Sequence, residues 1–197
     1  MQLKNQKTGL FFGSFNPIHH GHLMLANYIV EYTDLRSIWF VISPHNPFKK
    51  KSTLLEDHHR YNLVQESIGD DPRFFASNVE FNMPQPSYTI DTLTHLSERY
   101  PEKEFILIGG EDMLPTFHKW KNYELILKNY RLMIYNRPGA YEHPYKEHPS
   151  FHFIEAPRFE ISSSLIRKAL AEGKDMQHFM PRKAYEYIIN MHLYQKQ

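Results

Sequence analysis

The chain has 197 residues, enough for one domain with a sizeable core, and its formal net charge of +1 predicts neither nucleic-acid nor membrane partners. It contains no cysteine, which excludes a disulfide framework, thiolate catalysis and cysteine-based metal sites. No signal peptide is expected, because the charges of Met1 to Lys7 lead into no apolar segment, and no stretch has the length of a membrane span; a soluble cytoplasmic protein is the expectation.

In chain order, Gly9 to Phe12 reads as a buried strand and Leu23 to Val30 as the helix packed on it. Between them run Gly13-Ser14-Phe15-Asn16-Pro17-Ile18-His19-His20-Gly21-His22. Ser37 to Ile42 reads as a second strand, Pro44 to Thr53 as a loop rich in proline and lysine, and Leu55 to Ile68 as a helix. Phe74 to Phe81 is strand-like. Ser87, a good N-cap, opens a helix reaching about Arg99. Phe105 to Ile108 is a strand closed by Gly109-Gly110, and Glu124 to Asn129 a helix. Leu132 to Tyr135 and Phe151 to Ile154 are strands, and Ser164 to Ala171 and Pro181 to Leu193 are helices. Such alternation predicts an α/β fold: a mostly parallel sheet with helices on both faces, in one domain over residues 1–197 whose C-terminal part, about 162–197, is helical.

Three constellations carry candidate chemistry. His19 and His22 share a face at a helix start, where free N–H groups and the positive end of the helix dipole seat phosphate. Two readings stand: imidazoles that stabilise charge on a transferring phosphoryl group, protonated or hydrogen-bonding, or a helix cap with incidental histidines. A metal site lacks a nearby carboxylate or cysteine to complete its ligands. In Ile161-Ser162-Ser163-Ser164-Leu165-Ile166-Arg167, hydroxyls and a guanidinium can converge on one anion, or the serines merely cap a helix beside a solvated arginine. In Gly109-Gly110-Glu111-Asp112-Met113 a glycine turn admits a ligand and the acid suits a ribose hydroxyl, or the acids simply sit in a first helical turn. Trp120, between Lys119 and Lys121, either stacks on a planar base or is a half-buried packing residue. Lys49 is either a flexible phosphate clamp or part of a solvated loop, and Arg137, after a strand at the ligand edge, is either a further site cation or a surface turn residue.

Together these residues resemble the nucleotidylyltransferase superfamily, with its HxGH motif after the first strand (His19-His20-Gly21-His22) and its ISSTxIR motif near the C-terminus (Ile161 to Arg167), about 140 residues apart. Over nearly its whole length the chain is similar to the bacterial nicotinate-nucleotide adenylyltransferases. Pro86-Ser87-Tyr88-Thr89-Ile90-Asp91-Thr92, Gly110-Glu111-Asp112-Met113, Lys119-Trp120, Arg137-Pro138-Gly139 and Phe159-Glu160-Ile161-Ser162-Ser163 carry that likeness. The resemblance implies a Rossmann-like fold and a reaction of ATP with nicotinate mononucleotide that gives deamido-NAD and pyrophosphate, with Mg²⁺ accompanying ATP. It implies catalytic roles for His19, His22 and Arg167. ATP would meet Gly13, Ser14, Phe15, His19, His22, Gly110, Asp112, Arg137, Ser162, Ser163, Ser164 and Arg167. The mononucleotide would meet Lys49, Ser87, Tyr88, Thr89, Asp112 and Trp120. A homo-oligomer is left open.

The chain departs from the family pattern at several positions. Asn16 stands for the usual aspartate, Phe12 for a glycine, Ser164 for threonine and Glu111 for alanine, while Asn46-Pro47-Phe48-Lys49 replaces a Pro-Pro-His-Lys loop. Two rival functions remain at this stage: the same transfer to nicotinamide mononucleotide, and a nucleotide-binding regulatory domain without turnover.

Overall fold

A computed structural model describes residues 6–44, 54–139 and 144–195. Six strands form one sheet: β1 (Gln6–Gly13), β2 (Ser37–Ile42), β3 (Phe74–Ser77), β4 (Lys103–Gly110), β5 (Arg131–Tyr135) and β6 (Phe151–Ile154). Every pairing is parallel, and the spatial order is β3-β2-β1-β4-β5-β6. This is the Rossmann-like sheet expected from the alternation of elements.

The strands are apolar on both sides because both faces of the sheet are covered. Phe11 lies between Phe40 and Ile108 in register, with Ala76 and Met133 beyond them, and all five enter one core. Their chain neighbours Leu10, Trp39, Leu107 and Leu132 point to the opposite face and enter the second core. Helices α1 (His20–Tyr32) and α2 (Asp57–Ile68) cover the first face. The helices α3 (Thr89–Arg99), α4 (Leu114–Phe117) and α5 (Tyr123–Asn129) cover the second. The C-terminal helices α6 (Ser163–Ala171) and α7 (Arg182–Asn190) join the first face through Ile166, Leu170, Ala184 and Ile188. Each aliphatic or aromatic side chain buried this way contributes about 1.5–3 kcal/mol.

Local chemistry sets most boundaries. In α3, Ile90, Leu93 and Leu96 make the buried stripe, and the N–H of Tyr100 closes the helix on the carbonyl of Leu96 just before Pro101. α2 ends at Gly69, whose φ of +55° is left-handed and natural only for a residue without Cβ. Several boundaries differ from the sequence expectation: β4 runs on through Gly109 and Gly110, which were expected as a turn, and two further differences bear on the site. The strand at Phe74 stops at Ser77, where its pairing with β2 ends, and Val79–Asn82 forms a 3₁₀ turn that buries Glu80. The N-cap of α3 is Tyr88, because the Ser87 hydroxyl is drawn instead to the Glu80 carboxylate, 3.0 Å away.

With all strands parallel, Gly13, Ile42, Ser77, Gly110 and Tyr135 end at one edge. The order of the strands reverses between β1 and β4, and at that edge such a reversal opens the crevice where ligands bind. Among the described residues no helix is long and apolar enough to cross a membrane.

Candidate active site

The turn from β1 into α1 is tightly folded. Phe15 sits at a φ of +43°, a costly conformation for a residue with a Cβ. The fold holds it there by burying its ring edge-on against Phe11, Phe40 and His22 at 5.9, 5.6 and 5.3 Å. His19 precedes the first turn of α1 in extended conformation. A Cβ on Gly21 would come within 3.1 Å of the His19 ring, so the glycine serves to let that ring lie over the helix start. The His19 and His22 rings are 3.8 Å apart and tilted by 30°. His22 Nδ1 accepts a hydrogen bond from the His19 backbone N–H at 3.3 Å, which orients the second ring.

His19 is buried, and its Nδ1 has no hydrogen-bond partner among the described residues. Burial first, then the charges of Arg137 and His20, lower its pKa from 6.5 to about 4. At neutral pH it is therefore an uncharged hydrogen-bonding group in the free protein.

The second motif is bound directly to this turn. Arg167 on α6 donates to the carbonyl of Asn16 at 2.6 Å and to Ser164 Oγ at 3.2 Å. Ser163 Oγ donates to the carbonyl of Pro17 at 2.8 Å, and Ser162 Oγ accepts the N–H of Leu165 at 3.2 Å as N-cap of α6. All three serine hydroxyls thus also hold the protein together. Asn16 explains how an amide serves where the family has aspartate. Its Oδ1 accepts from the N–H of Leu55 at 3.3 Å and from the Tyr194 hydroxyl at 2.8 Å.

These pieces enclose a cleft of about 670 Å³. Its wall includes Gly13, Ser14, Phe15, His19, His22, Arg137, Ser162, Ser163, Ser164 and Arg167. Arg158 adds a third guanidinium, which the sequence reading passed over although it stands in a Pro-Arg-Phe run just before the serine motif. Among the described residues the wall holds three arginines and no carboxylate, a lining suited to a polyanion such as a phosphate chain.

Gly110 and Asp112 are at the rim, outside the wall. Asp112 pairs with Arg137 at 3.4 Å, and the backbone N–H of Arg137 donates to Glu111 at 3.0 Å. A Cβ on Gly110 would collide with the Asp112 carboxylate and press on the Arg137 side chain. The glycine therefore makes room for the ion pair, and Glu111, the departure from alanine, helps to aim Arg137 into the cleft.

The residues expected to meet the second substrate gather separately. Tyr88 and Thr89 form the N-terminus of α3. Lys121 lies 4.6 Å from the Tyr88 ring centre and 2.8 Å from Asp91. It thereby joins the Trp120 segment to α3. Trp120 itself is half-buried, its ring 5.4 Å from that of Phe117. None of these residues lines the cleft, and Lys49 lies outside the described residues.

Arg60, which the sequence reading also missed, is fully buried on α2. Its guanidinium donates to the carbonyls of Ser14 (2.7 Å), Ser43 (2.9 Å), Leu55 (3.0 Å) and Pro44 (3.3 Å), and pairs with Asp57. The signal was present: Arg60 stands three and four positions before the buried Leu63 and Val64, on the apolar stripe of the helix.

Comparison with known proteins follows from this geometry. Residues 10–169 match the cytidylyltransferase-like family. The chain is 50% identical over 194 residues to a probable nicotinate-nucleotide adenylyltransferase of Flavobacterium johnsoniae, covering 96% of this chain and 100% of that protein. It is 47% identical over 192 residues to one of Christiangramia forsetii, covering 96% and 99%. Among solved structures it is similar to the nicotinic acid mononucleotide adenylyltransferase of Plasmodium falciparum complexed with NaAD, with a TM-score of 0.79 at 25% identity over 96% of this chain and 98% of that one.

Two outcomes are expected. Arg60→Met leaves four carbonyls and Asp57 without their cation and should cost roughly 3–5 kcal/mol in urea unfolding. For His19, the folded protein takes up a proton only near pH 4, whereas the unfolded chain does so near 6.5. Between those values the unfolded state binds more protons, so stability rises with pH through this window, by up to about 3 kcal/mol, and is fully present above it. Melting curves of His19→Asn across the same window should show that part of the slope removed.

Proposed function

The chain belongs to the cytidylyltransferase-like family and, within it, to the nicotinate-nucleotide adenylyltransferases; from that membership we propose that it transfers the adenylyl group of ATP to nicotinate mononucleotide, giving deamido-NAD and pyrophosphate. The observation that carries this reading is the direct bonding of Arg167 and Ser163 to the turn at Asn16 and Pro17, which makes one cationic cleft of two motifs distant in sequence.

The 5′-phosphate of the mononucleotide attacks the α-phosphorus of ATP in line. A P–O bond forms, the bond to the β-phosphate breaks, and pyrophosphate leaves with the electron pair. The attacking phosphate is already ionised and needs no general base. Catalysis is then positioning and neutralisation of charge. His19 and His22 face the phosphates at the start of α1 as hydrogen-bonding groups. Arg167 and Ser162 to Ser164 hold the β- and γ-phosphates, with Arg137 at the side nearer Asp112 and the ribose. The described wall offers no carboxylate, so this chain would hold Mg²⁺ only through the bound ATP, where the ion would supply neutralisation of phosphate charge.

Tyr88 and Thr89 at the N-terminus of α3 are to receive the nicotinate carboxylate, with Trp120 against the pyridine ring and Lys49 as a further cation. The first N–H groups of an α-helix have no partner within it and favour an anion, which supports the acid over the amide and over mere nucleotide binding. Pyrophosphate release should be seen with ATP and nicotinate mononucleotide, at least about tenfold slower with nicotinamide mononucleotide, and not with ATP alone. Equal rates with acid and amide, or none with either, would refute the assignment.

His22→Ala should lower kcat about a hundredfold or more, as the loss of one such contact does, while calorimetry finds mononucleotide affinity nearly unchanged. Trp120→Ala should weaken the mononucleotide by roughly 1–3 kcal/mol and leave ATP binding as it was. An equal loss for both ligands, with a lower melting temperature, would assign Trp120 to its contact with Phe117.

A further inference from the structure

Asn16 is 5% exposed, and its side chain and its backbone are both held by other parts of the chain. Its Oδ1 accepts from the N–H of Leu55 at 3.3 Å and from the Tyr194 hydroxyl at 2.8 Å. A backbone N–H can only donate, so the shared atom is the amide oxygen and the hydroxyl donates to it. Burial outweighs the opposing charges of Arg167 and Arg60 and pushes the Tyr194 phenol above its usual range, so the hydroxyl keeps its proton at any ordinary pH.

Tyr194 follows the last helix, α7, and the chain is folded to deliver it. His192 and Tyr194 have φ of +52° and +62°, left-handed values that are costly for residues with a Cβ and persist only where the surroundings compensate. Between them Leu193 is buried, and its N–H donates to the carbonyl of Ile188 at 3.0 Å. The Tyr194 ring packs against the core of the first face. A phenylalanine would supply the same packing. What the hydroxyl adds is the bond to Asn16.

The backbone of Asn16 bears on Arg167. One terminal nitrogen of that guanidinium donates to the Asn16 carbonyl at 2.6 Å, and the other to Ser164 Oγ at 3.2 Å. The carbonyl is thus a stop that sets the aim of Arg167 in the cleft wall. Tyr194 does not itself line the cleft, so it reaches the site through Asn16. A guanidinium held in place before the ligand arrives loses little freedom on binding, whereas a loosened one must be ordered at that moment, at a cost in affinity.

We propose that Tyr194 is a positioning residue for the phosphates of ATP: its hydroxyl fixes Asn16, and the Asn16 carbonyl fixes the Arg167 guanidinium. This inference rests on the phosphate-binding role proposed above for Arg167.

Tyr194→Phe keeps the ring and removes the hydroxyl. Calorimetric titration should find ATP bound about fivefold more weakly, the size of one net hydrogen bond, and nicotinate mononucleotide unchanged within about twofold. In pyrophosphate release the KM for ATP should rise by the same factor. Added to Arg167→Ala, the same substitution should change ATP affinity by less than about twofold, because the group it positions is gone. A merely structural role would weaken ATP equally in both backgrounds. Asn16→Ala removes the acceptor and should give the same ATP-selective loss. The proposal is overturned if folded Tyr194→Phe binds ATP as the wild type does, if both substrates weaken together with the melting temperature, or if the effect is undiminished beside Arg167→Ala. Should Tyr194→Phe fail to fold, Asn16→Ala decides by the same criteria, alone and combined with Arg167→Ala. Wild-type protein that binds ATP but releases no pyrophosphate would overturn the proposed reaction, while the coupling of Tyr194 to Arg167 in ATP binding would still decide the positioning role.

Discussion

A buried guanidinium is the constraint on which the site depends. Arg60 reaches the carbonyls of Ser14, Ser43, Pro44 and Leu55 from one point beneath the sheet edge. Loops leave strand ends with carbonyls that helices and sheets do not satisfy, and buried carbonyls without donors are costly. A planar cation with five N–H groups can answer several of them together in a fixed geometry. Its own desolvation is offset by Asp57 and by the carbonyl dipoles. The turn after β1 and the residues Ser43 and Pro44 that follow β2 are therefore tied to one group. Everything that approaches the cleft from α6, including Arg167 and Ser163, docks on a turn already held from below.

Charge in the cleft is arranged with a division of labour. The guanidiniums of Arg137, Arg158 and Arg167 supply the positive charge of the wall. His19, buried beside Arg137, gives up its own in the free protein. A further cation there would raise the cost of the empty site and compete with the arginines for the same anion. A neutral imidazole contributes direction instead, since its single N–H and single lone pair define where a partner must sit.

The sheet was legible because both of its faces are apolar. Ser37 to Ile42 and Phe151 to Ile154 have the bounds expected from their runs of hydrophobic residues. Each motif alone also reads as a helix cap; the two were legible because they occur together, about 140 residues apart, as in the family they resemble. Buried polar residues were less legible. Arg60 sits on an apolar stripe where its charge argues for the surface, and Glu80 lies in a segment whose neighbours Phe74, Phe75, Val79 and Phe81 suggest a longer strand. Arg60 answers carbonyls at Ser14 and Ser43, and Glu80 accepts from Thr92, so the local pattern shows only part of what holds these groups. Gly21 and Gly110 illustrate the converse. Their presence predicted close approach, but what approaches Gly21 is the His19 ring and what approaches Gly110 is the Asp112–Arg137 pair, both parts of the protein itself.

The Tyr194 hydroxyl on Asn16 has a bearing on how the molecule folds. The two partners are separated by 178 residues, and the bonds of Arg167 and Ser163 to the same turn span 151 and 146. Neighbouring strands can pair over much shorter separations, whereas contacts distant in sequence bear the full cost of closing a long loop before they are made. The nucleotide cleft is thus a late product of folding, completed only when the two ends of this stretch of chain have met.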